Sequence, residues 1–322
     1  MNNPTPYSTL TPDFILDALE SAGFLPTGGL TALNSYENRV YQAEMDDGTF
    51  RIVKFYRPGR WSEAQLREEH AFVRELVEEE LSVVAALQVN GEELQHFGDF
   101  LFAVYPRQGG HTPDIEREED LEVLARALAR MHVVGRQDSF EQRRTLSIKN
   151  YATDNRKWLL ESGHIPMELE KAYSTLSEQI IKKLHDPESE ENIRLHGDCH
   201  LGNILWRSDT PHFVDFDDCM TGPPIQDIWM LLSGEREERL RQLGTIADAY
   251  EMFAPFPADS LHLIETLRTL RLMNHSAWIA RRWDDPAFPM AFPDFGSVRY
   301  WSNHILELRE QLAALDEPPL IV

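Results

Sequence analysis

The hydrophobic period of the sequence changes once along the chain, and that change divides the fold in two. Before Pro106 the apolar residues form short β-rich runs separated by turn residues. Val40 to Ala43 and Arg51 to Tyr56 flank Asp46-Asp47-Gly48, which predicts a hairpin. Further strands are predicted at 83–89 and 100–105. Two helices interrupt this part. Thr11 caps one that starts at Pro12, carries Phe14, Ile15, Ala18 and Leu19, and stops at Gly23. Ser62 and Gln65 have capping-box spacing and open the other, over about 63–79.

Pro106, Gly109 and Gly110 break the pattern, and no comparable strand-rich block follows. Leu121, Leu124, Ala125, Leu128 and Met131 make one helical face; Leu169, Ala172, Leu176, Ile180 and Leu184 make another. Helices are also predicted near 225–233, 236–254, 260–283 and 298–315. The expected class is α+β: a small lobe with an N-terminal accessory helix over 1–105, a large helical lobe over 106–322, and a hinge near 104–111. A chain of 322 residues buries roughly three quarters of its extended surface, enough for two separate cores. A cleft between lobes is a common place for a small-molecule site.

A formal charge of −23 argues against a general nucleic-acid binder. Two cysteines, Cys199 and Cys219, are too few for a disulfide framework. No stretch approaches the length needed to cross a bilayer, and the first twenty residues lack a basic cluster followed by an apolar run. A cytoplasmic monomer without membrane or nucleic-acid partners is expected.

The chemistry concentrates in Arg194-Leu195-His196-Gly197-Asp198-Cys199-His200-Leu201-Gly202-Asn203-Ile204-Leu205-Trp206 and in Phe213-Val214-Asp215-Phe216-Asp217-Asp218. Apolar flanks imply two short buried strands that bring Asp198, Asn203 and Asp215 to one rim. Ionised carboxylates are costly to bury without metals or donors, so a cation site follows. Phosphoryl transfer needs oxygen ligands for Mg²⁺, a carboxylate facing the acceptor hydroxyl, and a positive group on the nucleotide phosphates. Asp198 suits the base, with Asn203 and Asp215 as metal ligands. Lys54, on a strand where Val53 and Phe55 take the opposite face, suits the phosphates. Either Glu68 or Glu69 can hold Lys54 by an ion pair; Glu69 shares the phase of Phe72, Val73 and Leu76 and is preferred.

His196-Gly197-Asp198 with Asn203, then Val214-Asp215, with Lys54 upstream, resembles the catalytic apparatus of the aminoglycoside phosphotransferase and choline kinase superfamily, which has a protein-kinase-like fold. Asn34 to Tyr41, Val53 to Pro58, Leu195 to His200, Gly202 to Trp206 and Trp283 to Pro289 are similar to a branch described as serine/threonine protein kinases of the bacterial stress response. The resemblance implies ATP and Mg²⁺ as cofactors. It implies catalytic roles for Asp198 and Asp215, Mg²⁺ ligation by Asn203 and Asp215, and a phosphate-covering loop containing Ser35. It implies nucleotide contact near Val104 and supporting roles for Asp227 and His196. The loop Asn34-Ser35-Tyr36-Glu37-Asn38 departs from glycine-rich phosphate loops, because it has no glycine. No glycine follows Asp215-Phe216, which argues against a DFG-style switch.

The implied acceptor is a Ser/Thr hydroxyl of a protein, with autophosphorylation as one route and a small-molecule alcohol as the alternative. Arg271, His275, Trp278 and Arg282 have the three- and four-residue spacing to line one side of an acceptor cleft. His196, Asp198 and His200 alternatively form an H-x-D-x-H string suited to a hydrolytic metal centre, if the segment is extended.

Overall fold

The computed structural model describes residues 6–322 and shows a two-lobed α+β fold. The hydroxyl of Thr11 accepts from Phe14 N to cap α1 (Pro12–Ser21), whose Ile15, Ala18 and Leu19 pack on the small-lobe sheet. That sheet holds β1 (Pro26–Ala32), β2 (Arg39–Met45), β3 (Phe50–Phe55), β4 (Leu94–Phe97) and β5 (Phe100–Pro106), antiparallel in the order β1-β2-β3-β5-β4. Its core joins Phe55 and Phe102, with ring centroids 5.3 Å apart, to Val53, Phe100 and Val104. Each such fully buried side chain contributes roughly 1.5–3 kcal/mol.

Two strand assignments differ from the sequence reading. The 83–89 segment forms only isolated bridges, because it runs between the lobes: Val84 N donates to Phe213 O of the large lobe and Leu87 N to Val104 O of the sheet. β1 went unpredicted; Thr27-Gly28-Gly29 gives it no apolar alternation, and its pairing with β2 is irregular between Pro26 and Leu30.

After β3 the capping box of Ser62 and Gln65 starts α2 (Glu63–Glu78). Its Leu66 packs beneath the sheet with Tyr56, Leu94 and Ala103, whereas Phe72, Val73 and Leu76 join the large-lobe core. The large lobe contains α3 (Glu118–Gly135), α4 (Asp154–Ser162), α5 (Met167–Ile181), α6 (Ile225–Trp229), α7 (Arg236–Tyr250), α8 (Ile264–Ala280), α9 (Ala287–Ala291) and α10 (Val298–Ala314). Between α5 and α6 lie β6 (Ile193–Leu195), the hairpin of β7 (Ile204–Arg207) and β8 (Thr210–Phe213), and β9 (Met220–Gly222), which pairs with β6. α7 packs on α3, and α10 on α5. No helix among the described residues is long and apolar enough to cross a membrane.

Candidate active site

The loop between β6 and β7 is fixed from below. Asp227, fully buried at the start of α6, accepts His196 N at 3.0 Å and Gly197 N at 2.9 Å. Both donors would otherwise be buried without partners, so the carboxylate sets the course of the backbone leading into Asp198. The His196 ring is fully buried, packs at a tilt against Phe216 with ring centroids 4.4 Å apart, and bonds Val214 O through Nε2 at 3.0 Å. It ties one half of the constellation to the other. Gly197 has φ +81°, and a Cβ there would lie 2.3 Å from the Asp218 carbonyl oxygen. Only glycine fits that crossing.

Beyond the glycine the chain turns outward. Asn203 Nδ2 donates to the Asp198 carbonyl at 3.0 Å and lies 3.4 Å from its carboxylate. With Nδ2 so committed, Oδ1 is the oxygen left for a cation. The Asp198 carboxylate pairs with Arg271 of α8 and lies 3.5 Å from His200 Nε2. His196, Asp198 and His200 do not converge: one ring points into the core, and the other accepts Gly202 N at 2.9 Å. The hydrolytic metal centre is therefore not assembled.

Asp215 follows β8 with φ 62° and ψ 65°, the left-handed region that few non-glycine residues occupy. Val214 N bonds Asn203 O at 3.0 Å, which places the two oxygen-bearing side chains on adjacent segments. Lys54 reaches across from β3 to Asp215 Oδ1 at 2.8 Å and also pairs with Asp217. Burial opposes the Lys54 charge, but Asp215 and Asp217 outweigh it and hold its pKa well above the ordinary lysine value. The Asp215 side chain is half exposed to the cleft.

Among the described residues no group of three His, Cys, Asp or Glu side chains could hold a metal alone. An Asn amide oxygen and an Asp carboxylate nonetheless fit a hard cation such as Mg²⁺, which completes its shell with waters and phosphate oxygens.

The ion pair expected between Lys54 and Glu69 is not formed, because Asp215 and Asp217 occupy the ammonium. Glu69 is buried as its helix phase predicts, and its nearest cationic partner is Arg143 Nη1 at 3.8 Å. Burial and then Asp217 push its pKa up to about 7, against the pull of Lys54 and Arg143. Glu68 instead accepts the backbone N–H groups of Glu141, Gln142 and Arg143. Arg143, with no exposed side-chain surface, donates to the carbonyls of Phe216, Asp217 and Cys219, and so holds the segment after Asp215. Asp218 is held well below the usual carboxylate range: burial opposes this, but Arg60 and Arg144 prevail.

Ser35, Lys54, Glu69, Asp198, Asn203 and Asp215 all line one cleft of about 1830 Å³ between the lobes. Val104 does not. Strand alternation puts its side chain in the small-lobe core, and its carbonyl is taken by Leu87 N at 2.7 Å. Tyr105, Pro106 and Gln108 line the cleft at that edge instead. Arg271, His275 and Trp278 of α8 and Arg282 just beyond its end line its far side. Sequence reasoning missed Arg143 and Arg60: neither sits in a periodic segment, and their hydrogen-bond partners are backbone carbonyls or acids more than 70 positions away.

The model of the phosphotransferase enzyme family matches residues 29–261. Curated relatives include stress response kinase A of Escherichia coli (strain K12), 44% identical over an alignment of 323 positions that covers 99% of this chain and 98% of the relative. Another is serine/threonine protein kinase RdoA of Salmonella typhimurium, 41% identical over 321 positions with the same coverage. Among solved structures, amicoumacin kinase hAmiN in complex with AMP-PNP, Ca²⁺ and Ami superposes with a TM-score of 0.73 at 20% identity, covering 96% of this chain and 94% of that one. Spectinomycin phosphotransferase gives 0.65 at 12% identity, covering 94% and 98%. At those identities the structural likeness speaks for the fold.

Proposed function

The chain belongs to the phosphotransferase enzyme family as a homologue of stress response kinase A, and from that premise we propose that it transfers the γ-phosphoryl group of ATP to a serine or threonine hydroxyl of a protein. The observation that carries the reading is the convergence of Lys54, Asp198, Asn203 and Asp215 on one interlobe cleft. Asn203 and Asp215 would hold Mg²⁺, which when bound neutralises phosphate charge during transfer. Lys54, already between two carboxylates, supplies the positive charge from the small lobe. Asp198 orients the acceptor hydroxyl and takes its proton as the oxygen–phosphorus bond forms. Arg271 pairs with Oδ1 of that carboxylate, so the hydroxyl shares Asp198 with a guanidinium.

One observation supports a protein acceptor over a small alcohol: a relative that aligns over nearly the whole chain is called a serine/threonine protein kinase. Role in the stress response follows from the relatives' names and stands as part of the same proposal.

The test uses labelled ATP with cell-extract proteins and a panel of small alcohols. Asp198→Asn is expected to abolish transfer while the fold and nucleotide binding persist, since it removes the proton acceptor and keeps the shape. Unchanged transfer in that variant would remove Asp198 from the mechanism. Label entering only the alcohols would replace the protein acceptor with a small one.

A further inference from the structure

The loop at 33–38 poses a physical problem. A phosphate cover usually relies on glycine to bring backbone N–H groups close, and this one has none. Its shape must come from side chains. Asn34 and Tyr36 are exposed, but Glu37 and Asn38 are buried between small-lobe arginines, Arg57 and Arg60 on Glu37 and Arg39 and Arg57 on Asn38, and partners from the other lobe. Glu37 Oε2 accepts Trp278 Nε1 at 2.6 Å and lies 2.5 Å from Arg282 Nε. Asn38 Nδ2 bonds Asp217, and the Tyr36 ring packs edge-on against Phe292 at 5.5 Å.

A second carboxylate backs the first. Asp285, 2% exposed, accepts Arg39 Nη2 at 2.9 and 3.1 Å, Arg57 Nη1 at 2.8 Å and Ala287 N at 3.1 Å. Arg39 in turn donates Nη1 to the carbonyls of Tyr36 and Asn38, at 3.1 and 3.2 Å. Arg57 donates its backbone N–H to Asn38 Oδ1 at 3.1 Å. The large lobe thus grips two small-lobe arginines, and those arginines grip the loop. A buried carboxylate with this many charged donors is strongly coupled to them; removing its charge leaves guanidinium groups uncompensated.

We propose that Asp285, acting through Arg39 and Arg57, and Glu37, received by Trp278 and Arg282, are positioning residues that hold the glycine-free loop over the nucleotide phosphates. The helical lobe, rather than backbone freedom, sets the loop's place. The inference rests on the phosphotransfer reading, since it needs phosphates beneath Ser35.

Glu37→Gln and Asp285→Asn preserve volume and remove charge. Both are expected to raise the KM for Mg·ATP at least tenfold and to speed amide exchange of residues 33–38 at least tenfold in the ligand-free protein. Glu75→Gln serves as control; Glu75 pairs with Arg194 at 2.7 Å away from the loop, and should leave both unchanged. A folded Glu37→Gln protein with parental KM for ATP, or with parental loop exchange, overturns the proposal. Should Asp285→Asn fail to fold, Glu37→Gln carries the same test. If the parent protein transfers no phosphate, the phosphotransfer reading falls, and the exchange measurement still judges whether the two carboxylates hold the loop.

Discussion

Replacing Asp227 by alanine measures how much the catalytic loop owes to one buried side chain. The carboxylate receives two backbone N–H groups, from His196 and Gly197, in fully enclosed surroundings. A hydrogen bond to a charged acceptor contributes about 1.5–3 kcal/mol, and a buried donor stripped of its acceptor loses its hydration as well. Two such bonds put the loss at about 3–6 kcal/mol, a large share of the ~5–15 kcal/mol that keeps a domain folded. Asp227→Asn retains one acceptor oxygen and should lose roughly half as much. Urea unfolding followed by circular dichroism reads the stability, and phosphate transfer is measured on the same samples below the transition. Transfer should fall in both variants, in the same order as stability, because the loop that carries Asp198 loses its anchor. An alanine variant less than about 1 kcal/mol weaker than the parent, with unaltered transfer, would refute the reasoning.

Gly197→Ala brings a methyl group to 2.3 Å from the Asp218 carbonyl at a positive φ, so transfer should fall at least a hundredfold; parental rates would show that the loop relaxes freely. His70 is buried against Tyr56, with its Nε2 2.9 Å from that hydroxyl. Burial, reinforced by Lys54, lowers its pKa to about 4. The folded protein therefore binds fewer protons than the unfolded chain between the ordinary value near 6.5 and about 4, so stability present above that window is lost as pH falls through it. The loss amounts to roughly 3 kcal/mol at about 1.36 kcal/mol per pH unit. In His70→Gln that part of the acid limb should flatten; an unchanged slope of unfolding free energy against pH would assign it to other groups.

Much of this architecture was legible because its signals are local. The capping box at Ser62 and Gln65, the Asp46-Asp47-Gly48 turn and the helical stripes of α3 and α5 depend on residues within a few positions of one another, and these elements formed close to the expected limits. Spacing was also enough to bring Asp198, Asn203 and Asp215 to one cleft. The partners of buried charges were less accessible. Helix phase chose Glu69 over Glu68 as the buried acid, yet gave no means of knowing that Asp217 would compete for Lys54 or that Arg143 would arrive from a loop 74 positions further on. Val104 lies off the cleft for a related reason: alternation along β5 can be read, but the claim of Leu87 on its carbonyl depends on how an irregular crossing segment lies, and its neighbours Tyr105 and Pro106 line the cleft.

The left-handed backbone at Asp215 affects how the residue is best probed. Alanine there would forfeit the carboxylate and would also incur about 1–2 kcal/mol for a conformation it tolerates poorly, so an inactive alanine mutant confounds electrostatics with geometry. Asparagine visits that region readily and keeps the side-chain length. It isolates the missing negative charge, which makes amide substitution the cleaner instrument at this position.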